Sequence, residues 1–409
     1  MEFLRVESLE AVREKMLLHV GGWLVSEEIA DLGEALGRIV AQDVFSPVDI
    51  PGFRRSTVDG YAVLSRDTAA AGESIPVFLI LKGQVDIGTP AQVSVESGEC
   101  VEVPTGGMLP DGADAMVMWE YTEPFGDDGV AVSHSVAFGE NVILPGEDAK
   151  AGDLLLQRGK RVLPQDIGVL AAAGITSVPV YTSPRLTIVS TGDELVSPEQ
   201  EPRQGQIRDI NSSALTALAQ KHGFTVIDQH VLPDCEDVIE RAVSSAMNNS
   251  NIVIVSGGSS KGKKDLTRAI FDRLSTPGVV THGIAIKPGK PTILAYDDNT
   301  CTLLVGLPGH PVSAMMIFEL LINWLLRELT GSAAPPVVPA RIPCNFAASP
   351  GKLTSQPCNL QHTDDGYVAE PVFGKSGLIT TLTQANGYFI IDRDSEGLQA
   401  GQTVMVNLY

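Results

Sequence analysis

A chain of 409 residues exceeds what one hydrophobic core usually organises, so three or four domains are expected. Hydrophobic residues at 44% against 19% charged describe a globular protein and exclude a disordered one. The net charge of −21 turns away nucleic acid and anionic membranes, so an anionic ligand has to be met by local lysines and backbone dipoles.

The five cysteines (Cys100, Cys235, Cys301, Cys344, Cys358) are widely spaced with no C-x-x-C, which argues against zinc ribbons, thioredoxin motifs and a disulfide framework. The opening Met1-Glu2-Phe3-Leu4-Arg5 lacks the pattern of a secretory leader. The most apolar helical run, Met315 to Leu329, is broken by Glu319, Asn323, Arg327 and Glu328, too charged to span a bilayer. A cytoplasmic protein is the expectation.

In chain order, residues 8–20 and 26–38 carry helical periodicity, with Ser8 and Ser26 as N-caps. Short alternating runs such as Val77–Leu81 and Ala115–Met118, broken by Gly, Pro and Asp-Gly turns, make 51–145 a β module. A Gly-punctuated strand region and a helix over Pro164–Ala173, stopped at Gly174, follow within 146–182. This segment is expected to pack back on residues 1–50, leaving the β module as an insertion in a discontinuous domain. From 183 to 331 strands and helices alternate: strands at 185–190, 225–232, 251–256, 280–286 or 292–296, and 301–306, helices at 211–222, 235–248, 265–275 and 310–330. That order predicts a doubly wound parallel sheet with ligands at the carboxyl ends of its strands. After the linker Ser332-Ala333-Ala334-Pro335-Pro336, residues 332–409 read as a helix-free, barrel-like β domain.

Three stretches of the α/β region look built to hold an anion. Ile252–Ser256 runs into Gly257-Gly258-Ser259-Ser260, three lysines (Lys261, Lys263, Lys264) and Asp265 at a helix start. Such a turn exposes backbone N–H groups, and glycines allow close approach. Lys287-Pro288-Gly289-Lys290-Pro291 fixes two ammonium groups on a stiffened turn. Gly306-Leu307-Pro308-Gly309-His310-Pro311 is a second rigid turn, with Pro311 suited to a first helical turn; His310 alone reads as structural. Glu194 in Ser190-Thr191-Gly192-Asp193-Glu194-Leu195, Asp234 after Leu232-Pro233, and Asp265 come from three strand ends and are able to share a metal ion, Asp265 also capping its helix. In Gly205–Ser212, Asn211 or Ser212 is the N-cap and Asp209 a second candidate. No G-x-G-x-x-G follows the first α/β strand, and Walker A and H-E-x-x-H motifs are absent, which argues against dehydrogenases, P-loop enzymes and zincins.

The ordered set S-T-V-D-G-Y-A, P-T-G-G…P-D-G-A-D-A-M-V, P-G-E-D, S-T-G-D-E-L, G-Q-I-R-D-I-N, S-G-G-S-S-x-G-x-x-D, I-K-P-G-K-P and G-L-P-G-H-P-V-S resembles the molybdopterin molybdenumtransferase family, the molybdenum insertases related to the E domain of gephyrin. The resemblance runs from the N-terminal helices to the end of the chain. It implies a homodimer of four-domain subunits whose α/β cleft is completed by the partner's β module. The implied reaction takes adenylylated molybdopterin and molybdate with Mg²⁺, inserts the metal into the dithiolene and releases AMP. By motif, Glu194, Asp234 and Asp265 fall at functional carboxylates that also hold the metal, and Asp59, Thr105 and Asp148 at functional positions of the β module and the segment after it. Gly257, Gly258, Ser259 and Ser260 form the ligand loop; Lys287, Lys290, Pro291, Pro308, Pro311, Lys352 and Ser376 line the substrate and oxyanion site. Contact with a molybdopterin adenylyltransferase is implied, and neither nucleic acid nor membrane.

The chain departs from the family pattern at Lys261, Lys263 and Lys264, at Lys352 where many members carry arginine, and at His310 where some carry asparagine. Molybdate and tungstate, alike in size and charge, both fit the motifs. An adenylyltransferase-like nucleotide enzyme and a gephyrin-like scaffold are the alternatives; the β module and the C-terminal domain weigh against the first.

Overall fold

The computed structural model describes residues 6–20, 22–257 and 264–409, leaving aside the side chains of Lys264 and Asp265. Helix α1 (Leu9–Val20) is opened by Ser8, whose Oγ accepts from Ala11 N. It buries Leu9, Val12, Met16 and Val20 against the core of the α/β region.

The expected helix over 26–38 does not form. Glu27–Asp31 is instead a strand paired antiparallel with Ser177–Tyr181, followed by a single 3-10 turn at Leu32–Glu34. Gly33 and Gly37 weaken the helix locally, and pairing with a strand about 150 residues away decides the outcome, as tertiary contacts override propensity. Two more pairings, Val44–Phe45 with Leu154–Leu156 and Arg55–Ser56 with Val142–Ile143, join the same two stretches of chain. The intervening residues form a six-stranded sheet in the spatial order 115–118, 60–63, 99–103, 77–84, 129–132, 122–125. Helix α2 (Pro164–Ala172) follows the second set of strands, and Asp166 receives the backbone N–H of Leu163 at 2.9 Å.

In the α/β region the sheet runs Thr225–Leu232, Arg185–Thr191, Ile252–Gly257, Thr302–Leu307, Ile293–Asp297, Pro277–His282. The first four strands are parallel, Ile293–Asp297 runs antiparallel to them, and Pro277–His282, antiparallel in turn to Ile293–Asp297, runs in the direction of the first four. Both of the alternatives left open near 280–296 are therefore strands. The direction of Ile293–Asp297 follows from chain length: Asp298–Cys301, which joins it to Thr302–Leu307, is a turn, too short for the crossover that parallel neighbours require. Alternation sorts the strands between two faces. Leu186, Ile188, Ile254, Leu303 and Val305 point to α3 (Asn211–His222) and the helix beginning at α6 (Pro311–Ile317), whereas Val189, Val253, Val255 and Leu304 point to α4 (Glu236–Met247) and α5 (Lys264–Leu274). Burial on both faces is why these strands read as unbroken apolar runs. α6 continues through a π-type segment, Phe318–Asn323, into α7 (Trp324–Thr330).

The C-terminal strands close a five-stranded barrel, because Leu353–Thr363 pairs with Gly366–Pro371 on one side and Gly387–Ile391 on the other. One short helix, Thr380–Thr383, departs from the helix-free expectation. The barrel is tied to the α/β region where Ile286–Lys287 pairs in parallel with Leu353–Thr354. Among the described residues no helix is long and apolar enough to cross a membrane, and all five cysteines are free thiols.

Candidate active site

The carboxyl ends of the parallel strands meet in register: Thr191 lies beside Leu232 on one side and Gly257 on the other. Whatever follows these residues reaches the same edge. Glu194 is carried there three residues after Thr191, and Asp234 two residues after Leu232. Both line a cleft of about 380 Å³ with Thr191, Asp209, Gly257 and His310. Glu194 is exposed and Asp234 half-buried. Asp193 Oδ1 accepts the backbone N–H of Asp234 at 3.0 Å, fastening the second strand-end loop to the first.

Gly257 is required for this contact. Its φ is +144°, and a Cβ there would stand 2.1 Å from the carbonyl oxygen of Thr191. The strands approach closely only because no side chain intervenes. Gly258, Ser259 and Ser260 lie outside the described residues, as does the side chain of Asp265; the backbone of Asp265 lies in the first turn of α5. Among the described residues, no group of three or more His, Cys, Asp or Glu side chains is arranged to hold a metal. Of the expected acidic set, Glu194 and Asp234 are thus the two placed together.

Under the cleft lies a polar layer that sequence reasoning left out of the site. Asp209 Oδ1 accepts from Asn211 N at 3.1 Å and Ser212 N at 3.4 Å, so Asp209 caps α3 rather than Asn211 or Ser212. Asn211, freed from capping, donates Nδ2 to Ser256 Oγ at 2.7 Å and to the Gly309 carbonyl at 2.9 Å. Ser212 Oγ donates to Ser190 Oγ at 2.9 Å. These bonds lock the ends of the 185–191 and 252–257 strands to the turn before α6. Asp209 is 4% exposed and its Oδ2 has no partner within the protein. The signal was present in G-Q-I-R-D-I-N, where Asp209 was already a cap candidate; its place beneath the cleft depends on packing.

The basic rim is built where the α/β region meets the barrel. Lys287 and Lys290 are exposed on the turn that ends at the half-buried Pro291. Gly289, with φ +118°, is pressed against α6: a Cβ there would fall 2.6 Å from the Ile317 side chain. Lys287 Nζ donates to Ser349 Oγ at 3.0 Å, and pairing of Ile286–Lys287 with Leu353–Thr354 brings Lys352 to the same edge. Pro308 and Pro311 are buried and frame the turn that carries His310. Ser376, from the barrel side, lies 2.8 Å from His310 Nδ1.

The β-module positions form a separate group. Asp59 Oδ1 accepts the Thr105 backbone N–H at 2.8 Å, so these two are brought together. Asp148 N donates to the Ile50 carbonyl at 3.0 Å. All three are exposed, and none lines the cleft of its own chain.

Comparison with known proteins agrees along the whole chain. Residues 6–174 match the family description "MoeA N-terminal region (domain I and II)", 187–328 match "Probable molybdopterin binding domain" and 339–409 match "MoeA C-terminal region (domain IV)". The molybdopterin molybdenumtransferase of Haemophilus influenzae is 32% identical over 98% of both chains, and that of Bacillus subtilis 33% identical over 92% of this chain and 88% of its own. A crystal structure of the molybdopterin biosynthesis MoeA protein from Pyrococcus horikoshii superposes with a TM-score of 0.81 at 30% identity, covering 99% of this chain and 100% of that one. With matched regions that include the acid-walled cleft, the polar layer and the barrel rim, this chain belongs to the MoeA family of molybdopterin molybdenumtransferases.

Proposed function

We propose that this chain completes molybdenum cofactor synthesis by inserting molybdate into adenylylated molybdopterin, with release of AMP. The observation that carries the reading is the division of the site. Carboxylates stand on strand-end loops of the α/β region, and lysines with a serine hydroxyl stand on the rim shared with the barrel. A nucleotide-bearing pterin needs its phosphoanhydride near the first, and a small dianion needs the second.

The carboxylate oxygens of Glu194 and Asp234 are the hard donors that Mg²⁺ takes, and Asp265 is placed by sequence to join them. Bound there, Mg²⁺ would offset charge on the phosphoanhydride as it is cleaved. The chain's own groups do the rest. The close approach of strands at Gly257 presents backbone to the ligand, and the polar layer of Asp209, Asn211 and Ser212 keeps the strand ends from shifting. Lys287, Lys290 and Lys352 attract molybdate, and Ser376 donates a hydrogen bond to it. Tungstate has the same charge and nearly the same size, and is expected to compete.

We place Asp59, Thr105 and Asp148 opposite the cleft of a second copy in a homodimer, since they do not reach the cleft of their own chain. The adenylylated pterin must come from an adenylyltransferase, and direct transfer between the two enzymes is expected. The five free thiols agree with a cytoplasmic site of action.

The test is turnover. Purified protein supplied with adenylylated molybdopterin, molybdate and Mg²⁺ should yield active cofactor and one AMP per pterin. Absence of AMP at saturating molybdate and Mg²⁺ overturns the reading, and net adenylylation of metal-free pterin by ATP would replace it with the adenylyltransferase alternative.

A further inference from the structure

Two loops from different parts of the fold meet at the open end of the cleft, one bringing an imidazole and the other a hydroxyl. His310 ends the rigid turn that leads into α6, and Ser376 lies between the barrel strand Gly366–Pro371 and the short helix Thr380–Thr383. His310 Nδ1 and Ser376 Oγ are 2.8 Å apart. A second bond holds the same pair of loops: Val312 N donates to the Ser376 carbonyl at 3.2 Å. His310 and Gly377 both line the cleft, so the junction forms part of its wall. Ser376 is therefore held through both its main chain and its side chain, and only the direction of its hydroxyl proton remains to be set.

That direction matters for an anion. A serine hydroxyl has one proton to donate and two lone pairs that accept. If the proton points at the imidazole nitrogen, Oγ turns lone pairs toward the cleft and repels an oxyanion. If Nδ1 carries the hydrogen instead, Oγ accepts it and its own proton is free for the anion. Only the second arrangement is compatible with bound molybdate.

We propose that His310 is a positioning residue of the oxyanion site: Nδ1–H donates to Ser376 Oγ and so turns the serine proton toward molybdate. The proposal rests on the reading of the rim as a molybdate site and goes beyond it by assigning His310. What the position requires is a donor at the place of Nδ1. Asparagine supplies one, because its amide nitrogen sits about as far from the backbone as Nδ1. Leucine removes the donor, and glutamine carries it one bond too far.

The experiment measures inorganic molybdate binding to the full chain at equilibrium, and molybdate dependence of AMP release from adenylylated pterin. His310→Leu and His310→Gln should each raise the molybdate Kd and KM about tenfold, the scale of one hydrogen bond to a charged group, with kcat at saturating molybdate little changed. Ser376→Ala should do the same, and the double variant should be no worse than either single one, as groups acting through one contact are not additive. His310→Asn should restore wild-type molybdate affinity. Should His310→Leu fail to fold, the His310→Gln and His310→Asn pair decides. Unchanged molybdate affinity in the Leu and Gln variants, full additivity with Ser376→Ala, or failure of asparagine to restore binding overturns the assignment. A wild type that binds molybdate but releases no AMP overturns the functional reading alone, and one that binds no molybdate overturns the assignment as well.

Discussion

The two walls of the site are built in different ways. The acidic wall belongs to one sheet: Glu194 and Asp234 follow strands paired from Arg185 to Thr191 and from Thr225 to Leu232, in unbroken register from Thr187 and Asp228 onward. The basic rim is assembled between two regions, through the pairing of Ile286–Lys287 with Leu353–Thr354 and the Lys287–Ser349 bond, and the His310–Ser376 contact joins the same two regions at the wall of the cleft. A wall inside one sheet is as rigid as the sheet. A rim that spans a junction depends on a few bonds and adjusts when any of them is lost. Chemistry that needs fixed charge near a phosphoanhydride is expected on the first, and capture of a small, freely diffusing dianion on the second.

The largest effect should come from breaking the acidic wall at its base. Gly257→Ala puts a Cβ into the Thr191 carbonyl and leaves alanine at a φ it rarely adopts. Strain and overpacking together should cost about 2–4 kcal/mol, seen as a lower Tm, with AMP release lost in whatever remains folded. If Gly257→Ala melts and turns over like wild type, close approach of the strands is not what builds the cleft.

Removing charge from the wall without altering its shape should be next. Asp234→Asn should leave the Tm in place and lower AMP release by roughly 10²–10³-fold, as for loss of one preorganised electrostatic group. Asp265→Asn should behave alike, because asparagine keeps the size of aspartate in the first turn of α5 and removes only the charge. A sharp fall in Tm with normal turnover per folded molecule would make Asp265 a structural cap. On the rim, Lys290→Ala should raise the molybdate KM about tenfold while leaving the affinity for adenylylated pterin unchanged. Equal loss of both would mean that the rim and the wall act as one unit, contrary to the division drawn here.

The smallest effect concerns the scaffold beneath both. Burial pushes the Glu319 carboxyl up, but hydrogen bonds to His222 at 2.6 Å and Asn323 at 2.8 Å outweigh it and hold the group below its ordinary value of 4.5. A carboxyl depressed in the folded state stabilises it above the unfolded value, and that contribution is lost as pH falls through the folded one. Tm should therefore decline as pH drops below about 4.5, and Glu319→Gln should flatten this part of the profile. The pair joins the end of α3 to the π-type segment after α6, so an unchanged profile would show that this joint adds nothing to the frame of the cleft.

Local chemistry was enough to read much of this protein. The apolar runs at Ile252–Val255 and Thr302–Leu307, with amphipathic helices between the strands, specify buried parallel strands whatever surrounds them, and Glu194 and Asp234 follow the ends of their sheet neighbours Arg185–Thr191 and Thr225–Leu232. The lysine turn was legible because proline stiffens the backbone locally. Tertiary structure alone decided the remainder. Glu27–Asp31 became a strand because Ser177–Tyr181 was there to pair with it, and Ile293–Asp297 ran antiparallel to Thr302–Leu307 because a four-residue turn leaves no room for a crossover. Asp209 took the cap of α3 and with it a place on the floor of the cleft, and Ser376 met His310 across 66 positions of chain. Propensity and periodicity describe a residue and its near neighbours. Which distant groups share a hydrogen bond is settled only when the domains pack, and in this protein that packing builds half of the site.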